Sequence, residues 1–260
     1  MKKIKLIMIL ALMFITGFSA KSQNINEKPI FHYSVLDALR NGVYTGDLNI
    51  AVLRTKGDFG LGTYNYLDGE MIVLNGIFYQ ITGDGKVSIA ESKLKTPFAA
   101  VTFFKADKVY ELVGISDFEE MQKEIVKNLP SENKSYAVQI ECEFESMKVG
   151  SANRVKENET TGLVELMKTR PLFEKQNVIG TLVGFYTPAY MSTVNLSPFH
   201  FHFLSKDRKF GGHFMSGKFN SAVKIKVRID EKPGLLVVFP ENNQAFERSW
   251  LQEKTAKSVY

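Results

Sequence analysis

The chain has 260 residues, 44% of them apolar, enough for one large or two modest cores. Its formal charge is +5, but Lys2, Lys3, Lys5 and Lys21 supply four of those charges, so the chain after residue 22 carries only about +1. That balance gives no support to nucleic-acid binding, which wants a concentrated basic stripe, and a single cysteine, Cys142, excludes an intramolecular disulfide.

In chain order, the first expected element is a secretory signal peptide over residues 1–22. A basic start, the apolar run Leu6 to Phe18 and the small-x-small site Ala20-Lys21-Ser22 have that layout. The run is short for a membrane span, which needs about 20 apolar residues. The mature chain is therefore expected to be secreted or periplasmic, with no membrane partner after cleavage. A soft boundary after Pro130 divides the rest into an N-terminal sheet-plus-helix domain, 23–130, and a C-terminal sheet domain, 131–260.

Ser34 to Leu39 reads as a short helix with Ser34 as its cap. Asp68-Gly69, Asn75-Gly76 and Asp84-Gly85 are hairpin-turn signals between apolar runs. A second helix starts at Ser116, with Ser116 and Glu119 as a capping box and Phe118, Met121, Ile125 and Leu129 along one face until Pro130. Val138, Ile140, Cys142 and Phe144 alternate as a buried strand, so Cys142 is expected in the core. Lys148 to Thr161 is polar enough for a linker or loop. A third short helix covers Leu163 to Thr169, ended by Pro171. Val223, Ile225, Val227 and Ile229 alternate with basic residues, a strand with one buried and one solvated face. Strands outnumber helices without regular interleaving, so the expected class is α+β with mixed or antiparallel sheets.

Three of the four histidines fall in HFHFLSKDRKFGGH, as His200, His202 and His213. In a strand, His200 and His202 share a face while Phe199, Phe201 and Phe203 point to a core. The polar stretch Ser205 to Lys209 with Gly211-Gly212 is a turn that returns His213 on a neighbouring strand. Three imidazoles suit a catalytic zinc-type ion with one position left open. The competing reading is a His-x-His pair on a solvated face with an unrelated third histidine. No signature of an organic cofactor is present. Farther upstream, GDFGLGTYNYLDGE (Gly57 to Glu70) is glycine-dense and offers Thr63 and Glu70 to one pocket, though it also reads as an ordinary hairpin.

Taken together, GDFGLGTYNYLDGEMIVLNGIFYQ, TPFAAVTFF, GTLVGFYTPAY and HFHFLSKDRKFGGH resemble the α-acetolactate decarboxylases in order and spacing from about Tyr44 to His213. The resemblance implies a two-domain α+β fold, a homodimer, and Zn2+ held by His200, His202 and His213. It implies Thr63 and Glu70 as active-site residues, with 2-acetolactate, a small hydroxy-keto acid, decarboxylated to acetoin. A divalent ion would act as Lewis acid on the ketone, and Glu70 would deliver a proton. The chain departs from the family at two places. Gly150 stands where the family has an arginine suited to the substrate carboxylate, and Arg154 is the candidate to replace it from the loop. The family also has a glutamate near its C-terminus, for which Glu253 is the stand-in, although Glu253 also reads as an exposed helical residue. If substrate handling is lost, the alternative is a metal-binding or small-metabolite-binding relative without catalysis.

Overall fold

The computed structural model describes residues 29–250; the expected signal peptide and Glu253 lie outside the described residues. Two sheets dominate. The first contains β1 (Ile30–Tyr33), β2 (Phe59–Thr63), β3 (Glu70–Leu74), β4 (Ile77–Ile81), β5 (Val87–Ile89), β6 (Phe98–Thr102) and β13 (Leu235–Val238). Its order is β13-β1-β6-β2-β3-β4-β5, antiparallel except for the β1–β13 pair. The second contains β7 (Lys108–Leu112), β8 (Ser135–Gly150), β9 (Leu172–Tyr186), β10 (Phe199–Ser205), β11 (Gly211–Phe219) and β12 (Ile225–Lys232), in the order β11-β10-β9-β8-β12-β7. The far half of the long β8 also pairs with β11, closing β8, β9, β10 and β11 into a ring. Around these sheets lie α1 (Leu36–Arg40), α2 (Ile50–Leu53), α3 (Phe118–Lys127), α4 (Leu163–Leu166) and α5 (Gln244–Glu247). The class is α+β. Among the described residues no helix is long and apolar enough to cross a membrane.

The strand periodicity explains where each face goes. Phe199, Phe201 and Phe203 on β10 join Phe144, Phe214 and Phe219 in one aromatic core inside the ring. Leu204, on the opposite face of β10, joins a core that also takes Phe59, Leu61, Ile72 and Leu74 from the first sheet. The second core therefore glues the two sheets together, and the even-numbered residues of β10 look into it. The two sheets do not divide at residue 130, since β7 precedes that point and joins the second sheet while β13 follows it and joins the first.

Turn chemistry behaves as the sequence indicates. Asn75 and Gly76 both take positive φ, 53° and 75°, the geometry of a two-residue hairpin between β3 and β4. The cap of α3 lies one residue later than the expected Ser116 box. Asp117 accepts from the Glu120 amide at 2.9 Å, and Glu120 in return accepts from the Ser116 amide and hydroxyl at 2.8 Å each. Aspartate at this position also places negative charge at the helix start. Ser34 is not the cap of α1, because Ser34 has φ of 63° and Val35 precedes the first helical residue without a side-chain bond. Cys142 is buried on β8. The segment 163–169 forms α4 followed by one 3-10 turn, Met167–Thr169.

Candidate metal centre and active site

The β10–β11 hairpin pairs His202 directly with His213, so their side chains rise on one face of the sheet. His200 lies two residues from His202 on that same face. Their ring centroids are 5.1–5.2 Å apart in all three pairings, and one ring nitrogen from each lies within 4.8 Å of the others. Spacing alone left open an isolated His-x-His pair; the register brings His213 into the same cluster.

Two of the rings are oriented from behind. His202 Nδ1 donates to the Met71 carbonyl at 2.8 Å. His200 Nδ1 donates to Asn195 Oδ1 at 2.7 Å, and the same oxygen accepts from the Leu196 amide at 2.9 Å, which fixes how the Asn195 amide faces. Both bonds place the proton on Nδ1 and leave Nε2 with its lone pair turned towards the cluster. His202 Nε2 is buried with no hydrogen-bond partner. An orphaned acceptor of this kind is costly unless something fills the space it faces. Burial lowers the pKa of His200 and His202 well below the usual value, with the neighbouring histidine charges adding to it. Burial, helped by the Arg170 charge, takes His213 down to about 4. All three are thus neutral at pH 7, the protonation state a divalent cation requires. The donor set fits a metal ion.

The first sheet supplies the facing wall. Thr63 and Glu70 are cross-strand partners on β2 and β3, so both side chains point at the second sheet. Glu70 Oε2 sits 3.4 Å from His202 Nε2, and its side chain is 13% exposed. Burial raises the Glu70 pKa to about 8, against an opposing pull from Arg170, so near neutral pH the carboxyl holds a proton. Thr63 Oγ1 donates to the Gly69 carbonyl at 2.8 Å. Gly69, with φ of 94°, makes the turn into β3. Thr63 thereby anchors the residue that precedes Glu70.

These groups border a cavity of about 340 Å³ whose other walls include Leu36, Leu67, Phe98, Met167 and Leu196. A mostly apolar enclosure with a few convergent polar groups is the usual form of a small-molecule site. Arg154 is not part of it. Its side chain is 53% exposed, pairs with Asp68 at 3.0 Å and lies over the Tyr66 ring at 4.9 Å. The arginine in the cavity wall beside Gly150 is Arg170, from the end of the 3-10 turn. Sequence reasoning missed Arg170 and Asn195. Asn195 precedes His200 by five residues, but no spacing rule marks such a partner; Arg170 carries no local signal beyond standing before Pro171.

Comparison with known proteins places the chain in a family. The alpha-acetolactate decarboxylase family profile matches residues 30–253. The chain is similar to the alpha-acetolactate decarboxylase of Methanosarcina mazei, 41% identical over 72% of this chain and 64% of that protein's length. It is also similar to that of Bacillus licheniformis, 30% identical over 90% of this chain and 91% of the relative. Among solved structures, the Bacillus subtilis strain 168 alpha-acetolactate decarboxylase superposes with a TM-score of 0.77 at 34% identity, covering 84% of this chain and 91% of that one. A Staphylococcus aureus protein of unknown function similar to alpha-acetolactate decarboxylase superposes at 0.80 with 27% identity, covering 86% and 94%. By its family match over residues 30–253 and its likeness to these relatives, the chain belongs to the alpha-acetolactate decarboxylase family of carboxy-lyases.

Proposed function

We propose that this chain decarboxylates 2-acetolactate to acetoin, with a zinc ion on His200, His202 and His213 as its cofactor. The observation that carries the reading is the convergence of three neutral imidazoles with the protonated Glu70 carboxyl, 3.4 Å from His202, inside one cavity. Three nitrogen ligands with room for a further one match catalytic rather than structural zinc. The N-terminal layout, basic and then apolar, supports export of the chain.

The chemistry assigns each residue a task. Acetolactate is a β-keto acid, so breaking the bond to its carboxyl carbon leaves an electron pair that must move onto the neighbouring ketone. A bound divalent ion supplies Lewis acidity for that charge. Leu36, Leu67, Phe98 and Leu196 give the reacting carbon an apolar wall. Glu70 then donates its proton to the carbon that lost carbon dioxide, forming the new C–H bond from one face, and recovers a proton from solvent. Thr63 holds the Gly69 turn and so the aim of Glu70.

The test is acetoin formation from racemic acetolactate by the purified mature chain, measured alongside its zinc content. Metal-loaded chain that forms no acetoin overturns the reading.

A further inference from the structure

We propose that Arg170 is the carboxylate-binding residue of this enzyme, reaching across the space that Gly150 leaves open. The inference rests on the functional reading above and assigns the substrate's charged end to a specific side chain.

Gly150 ends β8 directly opposite His213 on β11. A side chain at position 150 would project on the same face as His213, into the cavity, because cross-strand partners share a face. Glycine leaves that volume empty, and Arg170 enters it. A Cβ placed on Gly150 would lie 3.3 Å from both Cδ and Nε of Arg170, and 3.4 Å from Met215 Sδ. The two residues therefore compete for one space, from different segments.

The Arg170 backbone is held where this requires. It caps the 3-10 turn Met167–Thr169 in an extended conformation, φ −63° and ψ 147°, as suits a residue before proline. The next residue is fixed to the end of β8, since the Ser151 amide donates to the Pro171 carbonyl at 3.1 Å. The arginine is thus tied to the strand end over which its side chain passes.

Its guanidinium is also available. Among the described residues it forms no hydrogen bond or ion pair. Arg40, the other arginine bordering the cavity, is committed to Asp37 at 2.8 Å and to the Ser192 carbonyl at 3.1 Å. Arg154 is committed to Asp68 outside the cavity. Arg170 lines the same cavity as Glu70 and His213, and its charge acts on both, second to burial at each. A planar carboxylate is the natural partner of a half-buried guanidinium, which offers two parallel donors.

Steady-state kinetics with acetolactate, together with zinc content and Tm, test the assignment on wild type, Arg170→Ala, Arg170→Lys and Arg170→Ala/Gly150→Arg. Arg170→Ala should lower kcat/KM by about 10- to 150-fold, the scale for losing a charged hydrogen bond, with zinc content and Tm unchanged. Arg170→Lys should recover only part of this, because a point charge lacks the fork. The double variant should recover at least about 10-fold over Arg170→Ala, since removing the Arg170 side chain clears the atoms a residue at 150 would strike. An active wild type matched by Arg170→Ala overturns this assignment alone. A loss accompanied by a lower Tm and not restored by Gly150→Arg makes Arg170 structural and overturns it as well. Metal-loaded wild type without acetoin formation overturns the functional reading, and this assignment with it.

Discussion

Glu70 on β3 and His202 on β10 face each other across the two sheets, with Oε2 and Nε2 3.4 Å apart. Near neutral pH the Glu70 carboxyl is protonated and the His202 ring is neutral with its one proton on Nδ1, and burial sets both charge states. A proton donor thus adjoins a metal-ligand set without being part of the three-histidine cluster.

Removing the proton donor should separate chemistry from folding. Glu70→Gln keeps shape and hydrogen-bonding capacity while deleting the acid. It should lower kcat for acetolactate by at least about 10²-fold, the usual scale of general acid–base catalysis, with Tm and zinc content unchanged. Unchanged kcat would take Glu70 out of the mechanism.

About one divalent ion per chain is expected in the purified protein, and His202→Ala should remove most of it. Elemental analysis provides the measurement. A His200→Ala/His202→Ala variant that keeps full metal occupancy would rule out this site.

Asn195 should tune metal affinity without touching the ion. Its side-chain oxygen holds the His200 ring through Nδ1 at 2.7 Å. Asn195→Ala should weaken zinc binding by roughly 10- to 100-fold in a chelator competition, the range for losing such a supporting bond. Asn195→Asp retains the acceptor and should stay near wild type; equal affinity for all three proteins would contradict the orienting role.

Arg154→Ala should leave kcat/KM for acetolactate within about 2-fold of wild type. An exposed ion pair such as Arg154–Asp68 contributes roughly 0–1 kcal/mol, so stability should change little too. A large kinetic loss in this variant would return Arg154 to the site.

The remaining histidine predicts a further acid response. His32 is buried on β1 with no partner for Nδ1, and burial lowers its pKa from 6.5 to about 4. Between those values the unfolded chain binds a proton that the folded chain refuses. Its stabilising contribution is therefore present above pH 6.5 and is lost as pH falls towards 4, by about 3 kcal/mol in total. Denaturant titrations at pH 7 and pH 4 should show a smaller acid loss in His32→Leu than in wild type. Equal losses would remove His32 from the account.

The sequence by itself determined the parts that follow local periodicity. Alternation along HFHFLS sends phenylalanines to one core and histidines to the opposite face, because side chains of a strand reverse at every residue. The turn signals at Asn75-Gly76 and after Ser205 fixed the hairpins, since left-handed backbone and short connections are properties of a few adjacent residues. The segments around Thr63, Glu70 and the histidines carried the family resemblance for the same reason: each is contiguous.

Only the tertiary structure decided how those pieces face one another. Register across β10 and β11 set His213 opposite His202, and packing of the two sheets brought Glu70 to His202. Arg154 and Arg170 both follow the end of β8, and the proline after Arg170 does not reveal which of the two enters the cavity. Asp68 and Tyr66 hold the first outside, while the Pro171 anchor beside Ser151 carries the second over Gly150. A long flexible side chain goes where its backbone is tied and where volume is free, and both conditions are set by residues distant in sequence.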